Sequence, residues 1–146
     1  MTLTPVMEED HLKQIYVLSR STGCVRVSDV AAALSVHLST VSKMALKLRE
    51  CGYVIYEKYG QIASTYAGLR MGKQLLGKHR TLVSLLRHAG VPEAQACKEA
   101  ERLEHYISWE SASRLEALLG MLEENAAQDA PRKQENGYAG KLDRAR

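Results

Sequence analysis

A mostly α-helical chain of two units is predicted by three features of the sequence. Apolar residues recur at helical spacing through several separate stretches. One short stretch, YVIYEKYGQIAST, instead reads as two strands around a turn at Tyr59-Gly60. Gly and Ser/Thr stand where such elements must stop and start. The hairpin closes a first unit over residues 1–64, and helical spacing then resumes through a second unit over 65–125. Residues 126–146 are polar, with Gly, Pro and mixed charge. They bury too little apolar surface to repay their ordering and are expected to form a disordered tail.

The elements follow in order. A first helix is expected from Glu8 to about Ser21, with Leu12, Ile15, Tyr16 and Leu18 on its apolar side, and Gly23 stops it. In RVSDVAAALSV, Ser28 is expected to cap a short helix carrying Val30, Ala33 and Leu34. After a turn at His37-Leu38, STVSKMALKLRECGYV sets Val41, Met44, Ala45 and Leu48 at helical spacing and ends at Gly52. Two short helices joined by a tight turn form a helix-turn-helix, and the hairpin behind them makes it a winged one. A long helix is expected from Thr65 to about His88, with Leu69, Leu75, Leu76, Leu82, Val83 and Leu86 apolar. Gly90 lies past its end, and Pro92 opens the next helix in its first turn. That helix runs through EAERLEHYISW, with Leu103 and Ile107 as its packed stripe. Ser108 then caps a last helix whose Leu115, Leu118, Leu119, Met121 and Leu122 exceed what so small a unit buries alone. A second copy of the chain is the expected outlet for that surface.

Composition narrows the function. The 146 residues are 45% apolar, and none of the apolar runs approaches a membrane span. The opening MTLTPVMEEDH lacks the basic-then-apolar pattern of a secretory signal. Three cysteines, Cys24, Cys51 and Cys97, are an odd number without metal-type spacing and suit a reducing cytoplasm. The net charge of +3 is too small to establish a nucleic-acid partner by itself, and the absence of Phe argues against stacking on single strands.

Two constellations carry chemistry. In the first, Ser39, Thr40, Ser42, Lys43 and Lys47 lie on the second helix of the helix-turn-helix, where small hydroxyls and ammonium groups reach phosphates and base edges. Lys58 and Tyr59, at the wing tip, are placed to touch backbone or minor groove. The plainer reading is that the hydroxyls cap a helix and the lysines keep a face solvated. In the second, Glu101, Glu104 and His105 fall at i, i+3 and i+4, on one face of a helix. His79 on the long helix and Asp10 on the first would join them if those helices converge. Carboxylate and imidazole without thiolate suit Mn²⁺, Fe²⁺, Co²⁺ or Zn²⁺, and a carboxylate-rich site leans toward Mn²⁺. Alone, E-x-x-E-H more often marks a solvated salt-bridge face.

Over roughly residues 4–125 the chain resembles the diphtheria toxin repressor family of metal-dependent regulators, and most of all its manganese transport regulator branch. The resemblance rests on QIYVLS, RVSDVAAALSVHLSTVSKM, YVIYEKY, the Gly-Lys-x-Leu-x-x-x-His run ending at His79, and EHYISW. It implies a winged helix-turn-helix joined to a helical metal-binding and dimerisation domain. It further implies a homodimer that binds palindromic double-stranded operators when loaded with metal and represses uptake genes. The implied ligands are Asp10, His79, Glu101, Glu104 and His105. The iron-responsive branch carries Met in place of Asp10, Cys in place of Glu101, and a further SH3-like domain for which no room is expected here. Nothing in the resemblance makes Cys97 a ligand; a small buried thiol is expected.

Where the manganese branch has a further Glu ligand, this chain has Lys13. An ammonium cannot ligate. Either Lys13 turns outward and one metal binds through the remaining ligands, or it stands in electrostatically for one ion of a two-ion site. Two rivals follow: a metal-independent winged-helix regulator with a degenerate site, and a metallohydrolase in which two Glu and two His activate water. Against the hydrolase, the sequence shows no obvious substrate-pocket elements, and neither a small organic substrate nor a membrane partner is expected.

Overall fold

The computed structural model describes residues 5–57 and 60–129. Helix α1 spans Pro5–Ser19, α2 Val27–Leu34, α3 Leu38–Glu50, α4 Tyr66–His88, α5 Glu93–Leu103 and α6 Trp109–Asp129. Three short strands, β1 (Cys24–Val25), β2 (Val54–Ile55) and β3 (Ile62–Ser64), form an antiparallel sheet ordered β1-β3-β2. Ala63 of the central strand pairs with Cys24 on one side and Ile55 on the other. The hairpin was legible from its alternation, whereas β1, two residues long, carries no pattern of its own.

The winged helix closes on one core. Leu12 and Ile15 of α1, Val30 and Ala31 of α2, Val41, Met44, Ala45 and Leu48 of α3, and Ile62 of β3 are all buried in it. Gly23, at φ 82°, takes the left-handed conformation that ends α1, its N–H bonding the Ser19 carbonyl 2.8 Å away. Helix α4 joins the two units by packing along α1. Gly72 makes this approach possible, because a Cβ there would fall 2.5 Å from the Cβ of Tyr16 on α1. Thr65 caps α4, accepting the Gly68 N–H at 3.1 Å.

Several local expectations are corrected. Arg26, not Ser28, is the N-cap of α2, and no side chain caps it; Ala31 rather than Ala33 faces the core. Pro92 is the N-cap of α5 and lies outside its first turn. Helix α5 ends at Leu103, so Glu104 and His105 sit in the turn beyond it, and the helix buries Ala96 and Ala100 while Leu103 is exposed. Cys97 is half-buried. Helix α6 continues to Asp129, past the expected start of the tail, and the remainder of that tail lies outside the described residues. Ser108 caps α6 as expected, accepting the Ser111 N–H at 3.1 Å.

Candidate metal centre and nucleic-acid interface

The turn after α5 does what a continuous helix would not. It swings Glu104 and His105 in between α1 and α4. Lys78 of α4, itself buried, fixes the turn by donating to the Ile107 carbonyl, and its ammonium lies 4.5 Å from the centre of the Trp109 ring. The sequence reading passed over Lys78, whose signal is a lysine on the apolar side of an amphipathic helix.

Asp10, Glu104 and His105 bring one ligand atom each to within 4.8 Å of one another. His105 Nε2 is 3.0 Å from Asp10 Oδ1 and 3.7 Å from Glu104 Oε1. The other ring nitrogen, Nδ1, is 2.9 Å from Glu9 Oε2. Glu9 therefore orients the imidazole so that Nε2 points at Asp10, an arrangement in which a carboxylate behind a histidine sets its tautomer. Sequence reasoning missed Glu9, although the acidic run Glu8-Glu9-Asp10 was its signal. His79 Nδ1 donates to Glu104 Oε2 at 2.8 Å, so His79 meets the cluster through Glu104. Glu101 is exposed; it lines an open cleft of about 630 Å³ together with Asp10, Lys13 and His105. The shared helical face expected for Glu101, Glu104 and His105 is not formed, because the helix ends between them.

Lys13 points inward. Its ammonium pairs with Glu104 Oε1, so both carboxylate oxygens of Glu104 are engaged, one by Lys13 and one by His79. Burial alone would push the Glu104 carboxyl up, but the hydrogen bonds from His79 and Lys13 outweigh it and hold the group below its ordinary pKa. Asp10 goes the other way: burial raises its pKa more than His105 and Lys13 lower it. Beside it His11 is buried, with its pKa lowered by burial despite a 2.7 Å hydrogen bond to the Met7 carbonyl. The donor set is carboxylate and imidazole, without sulfur. It fits a hard or borderline divalent ion.

The second candidate surface is the outer face of α3. Ser39 and Lys43 are exposed on it and Ser42 is half-buried. Thr40 is corrected: it is buried in the first turn, its N–H bonded to the His37 carbonyl at 3.0 Å. Lys47 is half-exposed and pairs with Glu8 of α1. Lys58 and Tyr59 lie outside the described residues. Two leucines that the sequence reading did not single out, Leu38 and Leu46, are exposed on the same helix. With Arg26, Ser42, Lys43 and Gln61, they line a shallow groove between α3 and the wing. Apolar and hydroxyl groups beside a lysine are a chemistry that meets thymine methyls, base edges and phosphates.

Known families match both units of the chain. Residues 2–62 match the family model for the N-terminal DNA-binding domain of iron-dependent repressors, and residues 65–131 match the model for their metal-binding and dimerisation domain. The chain is 45% identical over 122 residues to the HTH-type transcriptional regulator MntR of Lysinibacillus sphaericus, covering 84% of this chain and 87% of that protein. It is 44% identical over 124 residues to MntR of Bacillus subtilis, covering 85% and 87%. Among solved structures it resembles a manganese-dependent transcriptional repressor in complex with manganese, at 30% identity and a TM-score of 0.69. That match covers 77% of this chain and 52% of the other, so the chain spans about half that protein's length.

Proposed function

The chain belongs to the iron-dependent repressor family, as its resemblance to diphtheria-toxin-repressor-type regulators implied, and from that membership we propose how its residues perform the task. It is a metal-responsive DNA-binding repressor and not an enzyme, which sets aside the hydrolase reading. Manganese is the activating ion, with Fe²⁺, Co²⁺ and Zn²⁺ as the alternatives. The support is a donor set of carboxylate and imidazole, together with relatives that are MntR proteins or a manganese-bound repressor. The protein works as a homodimer in the cytoplasm, on palindromic double-stranded operators of metal-uptake genes, without a membrane or small organic partner. Family matches that end at residue 62 and resume at residue 65 support a division into a reading unit over 1–64 and a metal-binding, dimerising unit from 65 onward.

One observation carries the mechanism. Helix α1 contributes Leu12 and Ile15 to the winged-helix core, and the same helix presents Glu9, Asp10 and Lys13 to Glu104 and His105 of the second unit. We assign Asp10, Glu104 and His105 as the inner ligands, with His79 and Glu101 completing the shell. The ion would supply positive charge that lets these carboxylates converge. Convergence holds α1, and with it α3, at a fixed attitude to the dimerising unit. In a homodimer that attitude sets the spacing of the two α3 helices, which must match half-sites one DNA turn, or a multiple, apart. Ser39, Ser42 and Lys43 then lie on the reading face, with Lys58 and Tyr59 assigned to the wing contact.

The test is operator binding by fluorescence anisotropy with EDTA, then with Mn²⁺, Fe²⁺, Co²⁺ and Zn²⁺ in turn. Metal is expected to raise affinity by about 5–150-fold, the range of an allosteric coupling of 1–3 kcal/mol. Glu104→Ala should abolish that response while leaving a folded dimer; a full response in this variant would show the site misassigned. A specific observation favours a second reading. Lys13 and His79 already satisfy Glu104 without any ion, as a degenerate site would require. Operator binding indifferent to EDTA would select that metal-independent regulator.

A further inference from the structure

The centre already contains a cation. The Lys13 ammonium sits on Glu104 Oε1 with its side chain 16% exposed, while the Glu104 side chain is 5% exposed. Resting on the reading of this cluster as a metal centre, we infer that Lys13 is a resident cation holding the place of a second ion, so that each subunit takes one divalent ion, on the Asp10–His105 side of Glu104.

Three considerations lead there. Glu104 is the hub of the cluster, and its two oxygens already face different partners: Oε2 accepts from His79 at 2.8 Å, and Oε1 accepts from Lys13. A carboxylate oxygen has a lone pair to spare. Oε1, 3.7 Å from His105 Nε2, can therefore face an ion held by Asp10 and His105 without releasing Lys13. On the far side Oε2 is engaged by His79, and Lys13 itself donates and never ligates, so no second ion gains a ligand from it. Charge points the same way. Glu9, Asp10, Glu101 and Glu104 are four carboxylates, and Lys13 offsets one of them. One divalent ion brings these groups to a net charge of −1 and a second to +1, but the second would stand against the Lys13 ammonium as well as the first ion, in a partly buried setting where like charges are costly. Last, Lys13 reaches Glu104 across ninety-one positions of sequence and packs between two units, unlike a lysine that merely solvates a helix face.

The outward alternative keeps its meaning. Lys13 also borders the open cleft that Glu101 lines. Swung into that cleft, it would vacate Glu104, one ion would bind through the remaining ligands, and Lys13→Gln would leave the affinity of that ion unchanged.

The experiment counts ions on the full-length dimer with Mn²⁺ alone, by equilibrium dialysis at saturation, and records the electron paramagnetic resonance of the bound manganese. The wild type is expected to bind one ion per subunit with an uncoupled six-line spectrum. Lys13→Glu removes the ammonium and adds a ligand; it is expected to bind two ions whose spectra show exchange coupling. Two ions in the wild type, or one in folded Lys13→Glu, would overturn the inference. Lys13→Gln guards against a Lys13→Glu variant that fails to fold. Without the ammonium's repulsion, its first ion should bind on the order of tenfold tighter, the scale of a single screened charge a few ångströms away. Unchanged affinity there would also overturn it. His105→Ala separates the two levels of reading. If that variant binds manganese as the wild type does, the site itself is wrong; if it loses binding while the wild type takes two ions, only the role of Lys13 is.

Discussion

The winged helix and the last helix treat apolar surface in opposite ways. In the first, Ile15, Val30, Val41, Met44, Leu48 and Ile62 are essentially sealed from solvent, with contributions from three helices and the wing. In α6, not one residue is buried, and Trp109, Leu118 and Met121 are 45%, 45% and 62% exposed. The first region has completed its core within one chain. The second presents an apolar face that a single chain leaves open, in the part matched by a metal-binding and dimerisation model. The difference teaches that the reading unit closes its core within the chain, with Leu75 of α4 joining it, and that the sensing unit leaves an apolar face for a second copy. The proposed metal centre lies between the two kinds of surface.

Substitution in the closed core should give the largest effect. Leu48→Ala and Met44→Ala each remove a fully buried side chain and are expected to cost about 2–5 kcal/mol in urea unfolding. Leu118→Ala, half-exposed, should cost well under 1 kcal/mol at concentrations where the chain is monomeric. Equal losses at the two sites would erase the contrast. The next largest effect belongs to the open face. Leu118→Glu with Met121→Glu puts charge where a partner would dock, and sedimentation should show monomer in place of dimer. Operator affinity should then fall at least tenfold, since two half-sites are no longer engaged together. A dimer that survives both substitutions would move the interface elsewhere.

The same contrast explains what was legible in the sequence. The helix-turn-helix and the hairpin could be read because each is specified within a few residues: Val41, Met44 and Leu48 by their spacing, the ends of α1 and α3 by Gly23 and Gly52. The metal centre could not be read in the same way. The stripe of Glu101, Glu104 and His105 assumed one continuous helix, and α5 stops at Leu103. What gathers Glu104 and His105 is a turn held by Lys78 and Trp109, contacts between residues that no local period connects. Glu9 escaped for a related reason. Its partner His105 lies ninety-six positions away, so nothing near Glu9 in the sequence announces its role. The resemblance supplied the candidate residues, and the folded chain brings Asp10, Glu104 and His105 together while leaving Glu101 exposed.

Two intermediate effects probe the surfaces joined by α1. Glu9→Ala leaves every proposed inner ligand in place but frees the His105 ring. Manganese affinity should fall about 10–100-fold, as it does when the carboxylate behind a metal-bound histidine is lost, and calorimetry would read it. No change would make Glu9 a bystander on the rim. Lys43→Ala removes an exposed ammonium from the outer face of α3. Operator binding should weaken similarly for cognate and unrelated sequences, and the slope of log affinity against log salt should drop by about one. An unaltered slope would take Lys43 off the phosphate-contacting surface.

The smallest expected effect is at Lys47. Residue type and spacing nominate it for DNA, yet its ammonium pairs with Glu8 on α1, with the two side chains 36% and 29% exposed. An ion pair that solvent reaches this freely contributes about 0.2–1 kcal/mol. Its importance lies in what it connects, because Glu8 is adjacent to Glu9, which orients His105, and Lys47 is on the helix that reads DNA. Lys47→Ala should therefore leave the salt slope of operator binding unchanged, unlike Lys43→Ala, while trimming the metal-induced gain in affinity by a few-fold. Glu8→Gln should do the same from the other side. The two losses should not add in the double variant, because they interrupt one contact. A salt slope that falls by one in Lys47→Ala would mean that Lys47 leaves Glu8 for a phosphate on binding. The winged helix would then owe its attitude to hydrophobic packing against α1 alone.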